Sequence, residues 1–150
     1  MARNILITGS SHGIGAGCAI AFARDEGANI GICGNRNPDS AAEVARQCEA
    51  FGVRTKVYIG DVGSHDFCKE MMEDFIRTFG KIDVLVNCAA YGGGAGGKAA
   101  EHHVDRIDDA SWNETIDGTL GVIFRCTREI IPFFDKYGGG NIVNIGSMYG

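Results

Sequence analysis

The chain opens on an apolar run, Ile5-Leu6-Ile7, that passes directly into Thr8-Gly9-Ser10-Ser11-His12-Gly13-Ile14-Gly15 and then into the small-residue stretch Cys18-Ala19-Ile20-Ala21-Phe22-Ala23. A buried strand, a glycine turn and a helix start, in that order, restrict the fold more than any other feature here. The glycines let the backbone bend sharply and come close to a diphosphate, while unpaired N–H groups and the helix dipole attract its charge. Glycine makes up 23 of the 150 residues, so a glycine triplet alone says little. Its place between strand and helix is what gives it meaning.

Strands and helices alternate from there onward. Residues 4–8, 29–33, 56–59, 83–87 and 141–145 read as strands, each a near-continuous aliphatic run of the kind found in parallel sheets covered on both faces. Helices fill the gaps. One carries the stripe Ala41, Val44, Ala45, Cys48 and Phe51; a second carries Phe67, Met71, Met72, Phe75, Ile76 and Phe79, with Ser64 as its N-cap. A third begins at Ser111, where Ser111 and Glu114 have capping-box spacing. Its stripe runs through Ile116, Leu120, Ile123, Phe124, Thr127 and Ile131, and Pro132 sits near its end. The aromatic and Met positions in these stripes read as core. The pattern predicts an α/β fold: a Rossmann-type, doubly wound, right-handed parallel sheet spanning residues 1–150.

Composition excludes several function classes. A chain of this length fits one domain that buries roughly 68–70% of its unfolded surface. Net charge is −5 and the pI about 5.3, with Lys and Arg scattered, so no basic field exists to hold nucleic acid. No apolar stretch is long enough to span a bilayer, and the first residues read as neither signal peptide nor anchor. The six cysteines, at 18, 33, 48, 68, 88 and 126, form no Cys-x-x-Cys pair and fall on apolar faces, which favours a reduced, cytoplasmic protein. His102-His103 lies beside a polar stretch and reads as solvated loop rather than a metal site. Residues 92–98, six of them Gly or Ala before Lys98, form a loop after the fourth strand, either a substrate lid or a surface insertion.

Several separated motifs then agree. Thr8-Gly9-x-x-x-Gly13-x-Gly15 resembles the cofactor fingerprint of the short-chain dehydrogenase/reductase family. Asp61-Val62 resembles its adenine-contacting pair, and Asn87-Cys88-Ala89-Ala90 its Asn-Asn-Ala-Gly motif. Trp112 and Leu120-Gly121-Val122-Ile123-Phe124 match its long central helix. Ile142-Val143-Asn144-Ile145-Gly146-Ser147 matches its fifth strand, ending in the catalytic serine. Within that family the pattern is nearest to reductases of 3-oxoacyl thioesters.

The resemblance implies a cofactor cleft bordered by Gly9, Ser11, His12, Gly13, Ile14, Gly15, Asn35, Arg36, Asp61, Val62, Asn87 and Ala89. Asp61 can accept from the adenine amino group, or instead serve as a helix N-terminal charge or cap. Asn87 can tie neighbouring strands together, border the cofactor ribose, or do both. After the second strand the chain reads Cys33-Gly34-Asn35-Arg36-Asn37, with no carboxylate before Asp39. A carboxylate there would bind the ribose hydroxyls of NAD, whereas Arg36 can form charge-assisted bonds to a 2′-phosphate. NADP is therefore favoured over NAD, with an ordinary solvated Arg36 as the competing reading.

The chemistry implied is hydride transfer between nicotinamide and a small-molecule carbonyl or alcohol. Ser147 matches the substrate-binding serine. Thr119 stands where the family carries the asparagine of its proton relay, and one hydroxyl lacks the amide's geometry. Ala90, in place of the family's glycine, narrows the approach to the cofactor. The family's tyrosine and lysine belong on a helix a dozen or so residues beyond Ser147, past Gly150. Tyr149 has no following lysine and reads as a loop or packing residue. The expectation is the N-terminal part of a longer reductase, a homo-oligomer in its full-length form, with a non-catalytic dinucleotide-binding or regulatory module as the alternative.

Overall fold

The computed structural model describes residues 2–90 and 103–147. Its elements are β1 (Asn4–Ile7), α1 (Gly13–Glu26), β2 (Asn29–Gly34), α2 (Pro38–Glu49), β3 (Thr55–Ile59), α3 (His65–Phe79), β4 (Val84–Asn87), a 3-10 turn (Val104–Arg106), α4 (Asp109–Ile116), a π-helical segment (Asp117–Gly121), α5 (Val122–Tyr137) and β5 (Asn141–Asn144). The five strands form one parallel sheet in the order β3-β2-β1-β4-β5. This is the doubly wound sheet expected from the alternating pattern, and each strand lies within a residue of its predicted limits.

Strand periodicity divides the aliphatic runs between two cores. Ile5, Ile7, Ile30, Ile32, Val84 and Val86 pack toward α1 and α2. Leu6, Cys33, Tyr58 and Leu85 point the other way, toward α3 and α5. Over β1, β2 and β4 both faces are covered, which is why those runs show no polar alternation. On α1 the buried positions are Gly15, Ala19 and Ala23, small enough for the helix to lie close to the sheet. On α3 they are Cys68, Met71, Met72 and Phe75, and the Phe75 ring reaches the sheet where Gly31 has no Cβ to block it.

Two caps match their residues. The Asn37 side chain accepts from Ser40 N at 3.0 Å, with Pro38 in the first turn of α2. Ser64 Oγ accepts from Phe67 N at 3.4 Å and starts α3 as expected.

The third long helix departs from the sequence reading in four ways. It starts at Asp109 rather than Ser111, because Asp108 is the N-cap and accepts from Ser111 N at 2.7 Å. A carboxylate there also complements the helix dipole, so it displaces the Ser111–Glu114 box. The helix is interrupted by the π segment and then runs past Pro132 to Tyr137. Its buried stripe is Val122, Cys126, Ile130 and Phe134. Much of the stripe read as core faces outward instead: Leu120 is 62% and Phe124 60% exposed, with Ile116 and Ile131 also on the surface, while Ile123 packs against the core. Two stripes with four-residue spacing, about 200° apart, compete on this helix, and the one that meets α3 is buried. Phe51 is exposed for a simpler reason: it lies beyond the end of α2.

Candidate functional site at the carboxyl ends of the strands

The strand order reverses between β1 and β4, which lie side by side although β2 and β3 separate them in sequence. In open α/β sheets that reversal opens a crevice beyond the carboxyl ends of the strands, where ligands sit. The segments leaving β1, β2, β3, β4 and β5 there begin at Thr8, Asn35, Gly60, Cys88 and Ile145.

The loop after β1 is held from both sides. Ser10 N donates to Cys33 O at 2.8 Å, Cys33 N donates to Ser10 Oγ at 3.0 Å, and Ser10 Oγ donates to Ile7 O at 2.7 Å. Thr8 Oγ1 accepts from both Cys88 N and Ala89 N at 3.1 Å, locking this loop to the one after β4. Gly9 has φ +66°, and a Cβ there would lie 2.7 Å from Ala89 Cα. A Cβ on Gly15 would lie 2.4 Å from Gly9 O. Both positions therefore need glycine, one for its conformation and for space, the other for space alone.

The start of α1 is open. Its N-cap, His12, is extended at φ −163° and makes no side-chain cap, and no acidic residue sits in the first turn. The first N–H groups of a 14-residue helix thus meet the crevice without a carboxylate. His12 Nδ1 lies 3.0 Å from Ser11 Oγ. His12, Gly13 and Ile14 are exposed, whereas Ser11 and Gly15 are buried.

Elsewhere along the crevice, Asn35 and Arg36 are exposed just beyond β2, and Arg36 forms no ion pair among the described residues. Asp61 is exposed and Val62 buried. Asp61 Oδ1 accepts from Gly63 N at 2.7 Å, a local turn rather than a helix cap, since Ser64 caps α3. Asn87 is fully enclosed at the end of β4. Its Nδ2 donates to Asn144 Oδ1 at 2.9 Å and to Thr127 Oγ1 at 3.4 Å, while its Oδ1 has no partner among the described residues. Asn87 thus ties β4 to β5 and α5 through side chains.

The sequence model of the short chain dehydrogenase family matches residues 3–150. The chain belongs to that family. It is 31% identical over all 150 residues to the 3-oxoacyl-(acyl-carrier-protein) reductase of Staphylococcus epidermidis, of which it spans 58%. It is 34% identical over 146 residues to a 3beta-hydroxysteroid dehydrogenase of Mediterraneibacter gnavus, of which it spans half. Among solved structures, an NADH-dependent reductase A1-R′ complexed with NAD superposes with a TM-score of 0.83 at 27% identity, covering 98% of this chain and 60% of that one. The chain therefore spans little more than half the length of the relatives it matches.

Set beside the family's motifs, the residues fall as follows. Gly9, Ser11 and His12 lie in the turn after β1 and Gly13, Ile14 and Gly15 in the first turn of α1, and Ala89 touches the turn through Gly9 and Thr8. Thr119 lies within the π segment, half-buried. The π segment is a wide turn that an even helical periodicity does not reveal. Ser147 is exposed after β5, and Ala90 is exposed after β4. Residues 92–98, His102 and Tyr149 lie outside the described residues. Thr8 and Ser10 stand in the sequence only as letters of a motif. Their signal was a hydroxyl immediately after a fully buried strand, where a polar side chain must find backbone partners.

No cluster of metal-binding side chains and no membrane-spanning helix occurs among the described residues. The free thiols differ in character. Burial pushes Cys33 up to about 12 and Cys48 up to about 11, so both are neutral and inert at ordinary pH.

Proposed function

We propose that this chain supplies the dinucleotide-binding part of an NADP(H)-dependent oxidoreductase that transfers hydride between nicotinamide and a small carbonyl or alcohol substrate. The observation that carries the reading is the glycine turn of residues 8–15, in which Gly9 and Gly15 leave no room for a Cβ and α1 presents uncapped N–H groups to the crevice. Such a surface fits a pyrophosphate: the backbone approaches closely and the charge sits on the helix dipole.

The remaining roles follow the order of the strands. Asn35 and Arg36, with His12, receive a 2′-phosphate in this reading, which the lack of a carboxylate before Asp39, in the first turn of α2, supports. Asp61 and Val62 border the adenine. Asn87 and Ala89 border the ribose next to the nicotinamide, and the unpartnered Asn87 Oδ1 is a ready acceptor there. Ser147 hydrogen-bonds the substrate oxygen, and Thr119 takes the place of the relay asparagine. The bound cofactor supplies the hydride, or accepts it. The proton donor is a tyrosine paired with a lysine, carried by residues after Gly150. The full-length form is a homo-oligomer.

Arg36→Ala tests the cofactor half. It should weaken NADPH binding far more than NADH binding, by about 10-fold or more for a lost charge-assisted bond. Equal losses for the two dinucleotides would reject the assignment. A second reading, a dinucleotide-binding module without turnover, is favoured by Thr119 in the relay position. NADPH oxidation against a carbonyl panel separates them, using these 150 residues beside a version extended through the downstream reading frame. Turnover by the extended form supports the oxidoreductase; binding without turnover in both supports the module.

A further inference from the structure

Two thiols meet in the core between α3 and α5. Cys68 Sγ lies 3.5 Å from Cys126 Sγ, the residues being 58 apart in sequence, and both are sealed from solvent. Cys68 Sγ also donates to Val62 O at 3.0 Å. The thiols therefore form a short chain, with Cys126 donating to Cys68 and Cys68 donating to the Val62 carbonyl. Each cysteine sits on the buried stripe of its helix, among Met71, Phe75, Val122 and Ile130, where an aliphatic side chain would fill the space as well. Packing alone does not call for two sulfurs in contact.

We propose that Cys68 and Cys126 are a redox pair that closes into a disulfide, cross-linking α3 to α5 and altering the crevice at Val62. A disulfide has an S–S length of about 2.05 Å, so the sulfurs need approach by only about 1.5 Å. The hydrogen bond from Cys126 lowers the Cys68 thiol against the opposing effect of burial, whereas Cys126 is raised. Cys68 is thus the sulfur that ionises first. With hydrogen peroxide as oxidant, admitted when the α3–α5 seam opens locally, the Cys68 thiolate attacks one peroxide oxygen, the O–O bond breaks, and the hydroxide released takes up the Cys68 proton as water. Cys126 sulfur then attacks the resulting Cys68 sulfenic acid, the S–S bond forms, and a second water leaves. The two thiols lose two protons and two electrons, and one peroxide becomes two waters. Closing the bond removes the S–H that donates to Val62 O, leaving a buried carbonyl without that partner. Val62 must then shift or lose stability.

The crevice half of this inference rests on Val62 bordering the adenine, as proposed above; the disulfide half does not. The test uses the full 150-residue chain, titrated with hydrogen peroxide and analysed by intact mass and by non-reducing peptide mapping. The expected result is a loss of 2 Da and a linked peptide holding Cys68 and Cys126, both absent in Cys126→Ala and in Cys68→Ala. No mass loss, a bridge that involves another cysteine, or the same loss in either variant overturns the redox pair. NADPH binding is then compared for the reduced and bridged forms. A weakening of about fivefold on bridging, the net worth of one hydrogen bond, supports the link through Val62. Equal affinity overturns that link. Bridging in a chain that binds no dinucleotide in either state supports the redox pair and refutes the cofactor reading instead.

Discussion

Gly15 and Gly17 sit two residues apart in α1, and the structure assigns them opposite responses to the same substitution. At Gly17 a Cβ would meet nothing within 4 Å, and the residue is exposed. Replacing an exposed helical glycine with alanine reduces the entropy of the unfolded chain, so Gly17→Ala should stabilise by about 0.5–1 kcal/mol. At Gly15 the same methyl would lie 2.4 Å from Gly9 O, 2.9 Å from Gly9 C and 2.9 Å from Ser10 Cα. All three are backbone atoms of a turn fixed by Thr8 and Ser10, so no side chain can rotate out of the way. Overpacking of this kind costs about 1–3 kcal/mol, which outweighs the helix-propensity gain. Gly15→Ala should therefore be net destabilising, and the two variants should differ by about 1–3 kcal/mol, or several degrees in melting midpoint for a chain of this size. Urea unfolding monitored by circular dichroism measures this directly, with equal m-values showing that the two variants unfold alike. If Gly15→Ala were as stable as Gly17→Ala, the close approach of α1 to the glycine turn would be refuted. The cradle argued for a pyrophosphate would fall with it.

Two further predictions concern other parts of the fold. Thr8→Val removes a hydroxyl that serves the backbone amides of Cys88 and Ala89. It should cost about 2–4 kcal/mol and speed hydrogen exchange at those two amides selectively; unchanged exchange there would show that Thr8 does not join the loops. Around Asp74, burial works upward on the carboxyl, but Lys56, Tyr58 and Arg77 outweigh it and hold the group below the ordinary carboxylate range. A lowered folded value means the stabilisation is fully present above the unfolded pKa of about 3.9 and is lost as pH falls through the folded value. Asp74→Asn should thus destabilise by less than about 1 kcal/mol at neutral pH, as expected for a partly exposed network. The gap between the two proteins' melting midpoints should begin to close as pH falls below about 4; a gap that stays constant down to about pH 2.5 would rule out the ion-pair account.

Much of the scaffold follows from local pattern. The aliphatic runs of β1, β2 and β4 are buried on both faces, those of β3 and β5 at the sheet's two ends less so, and the turn of residues 8–15 could stand only between a strand and a helix. The cap at Ser64 is legible because a polar residue there begins an apolar period, whereas Asn37, which caps α2, stands in the sequence reading only as part of the run after β2. The α4–α5 region was less legible, for two physical reasons. Asp108 lies outside the apolar period yet makes the stronger cap, and the π segment widens one turn between Ile116 and Val122. Which of two competing stripes is buried depends on α3, a neighbour from a different part of the chain. Asn87 shows the same limit: its side chain is satisfied by Asn144 and Thr127, contacts made only once β5 and α5 are in place.

The outward stripe of α5 borders an open groove of about 560 Å³ that includes Phe124, Ile131 and Pro132, with Asn144 of β5 along its edge. That edge strand has Val143 41% exposed and carries one row of backbone groups that no neighbouring strand receives among the described residues. Anything that covers this flank associates with the native chain and not with the unfolded one, so it adds free energy by mass action. Where a second copy supplies that cover, as the proposed homo-oligomer implies, thermal midpoints climb with protein concentration. A value taken from a dilute sample then reports the isolated chain, and a denser sample the chain together with its cover.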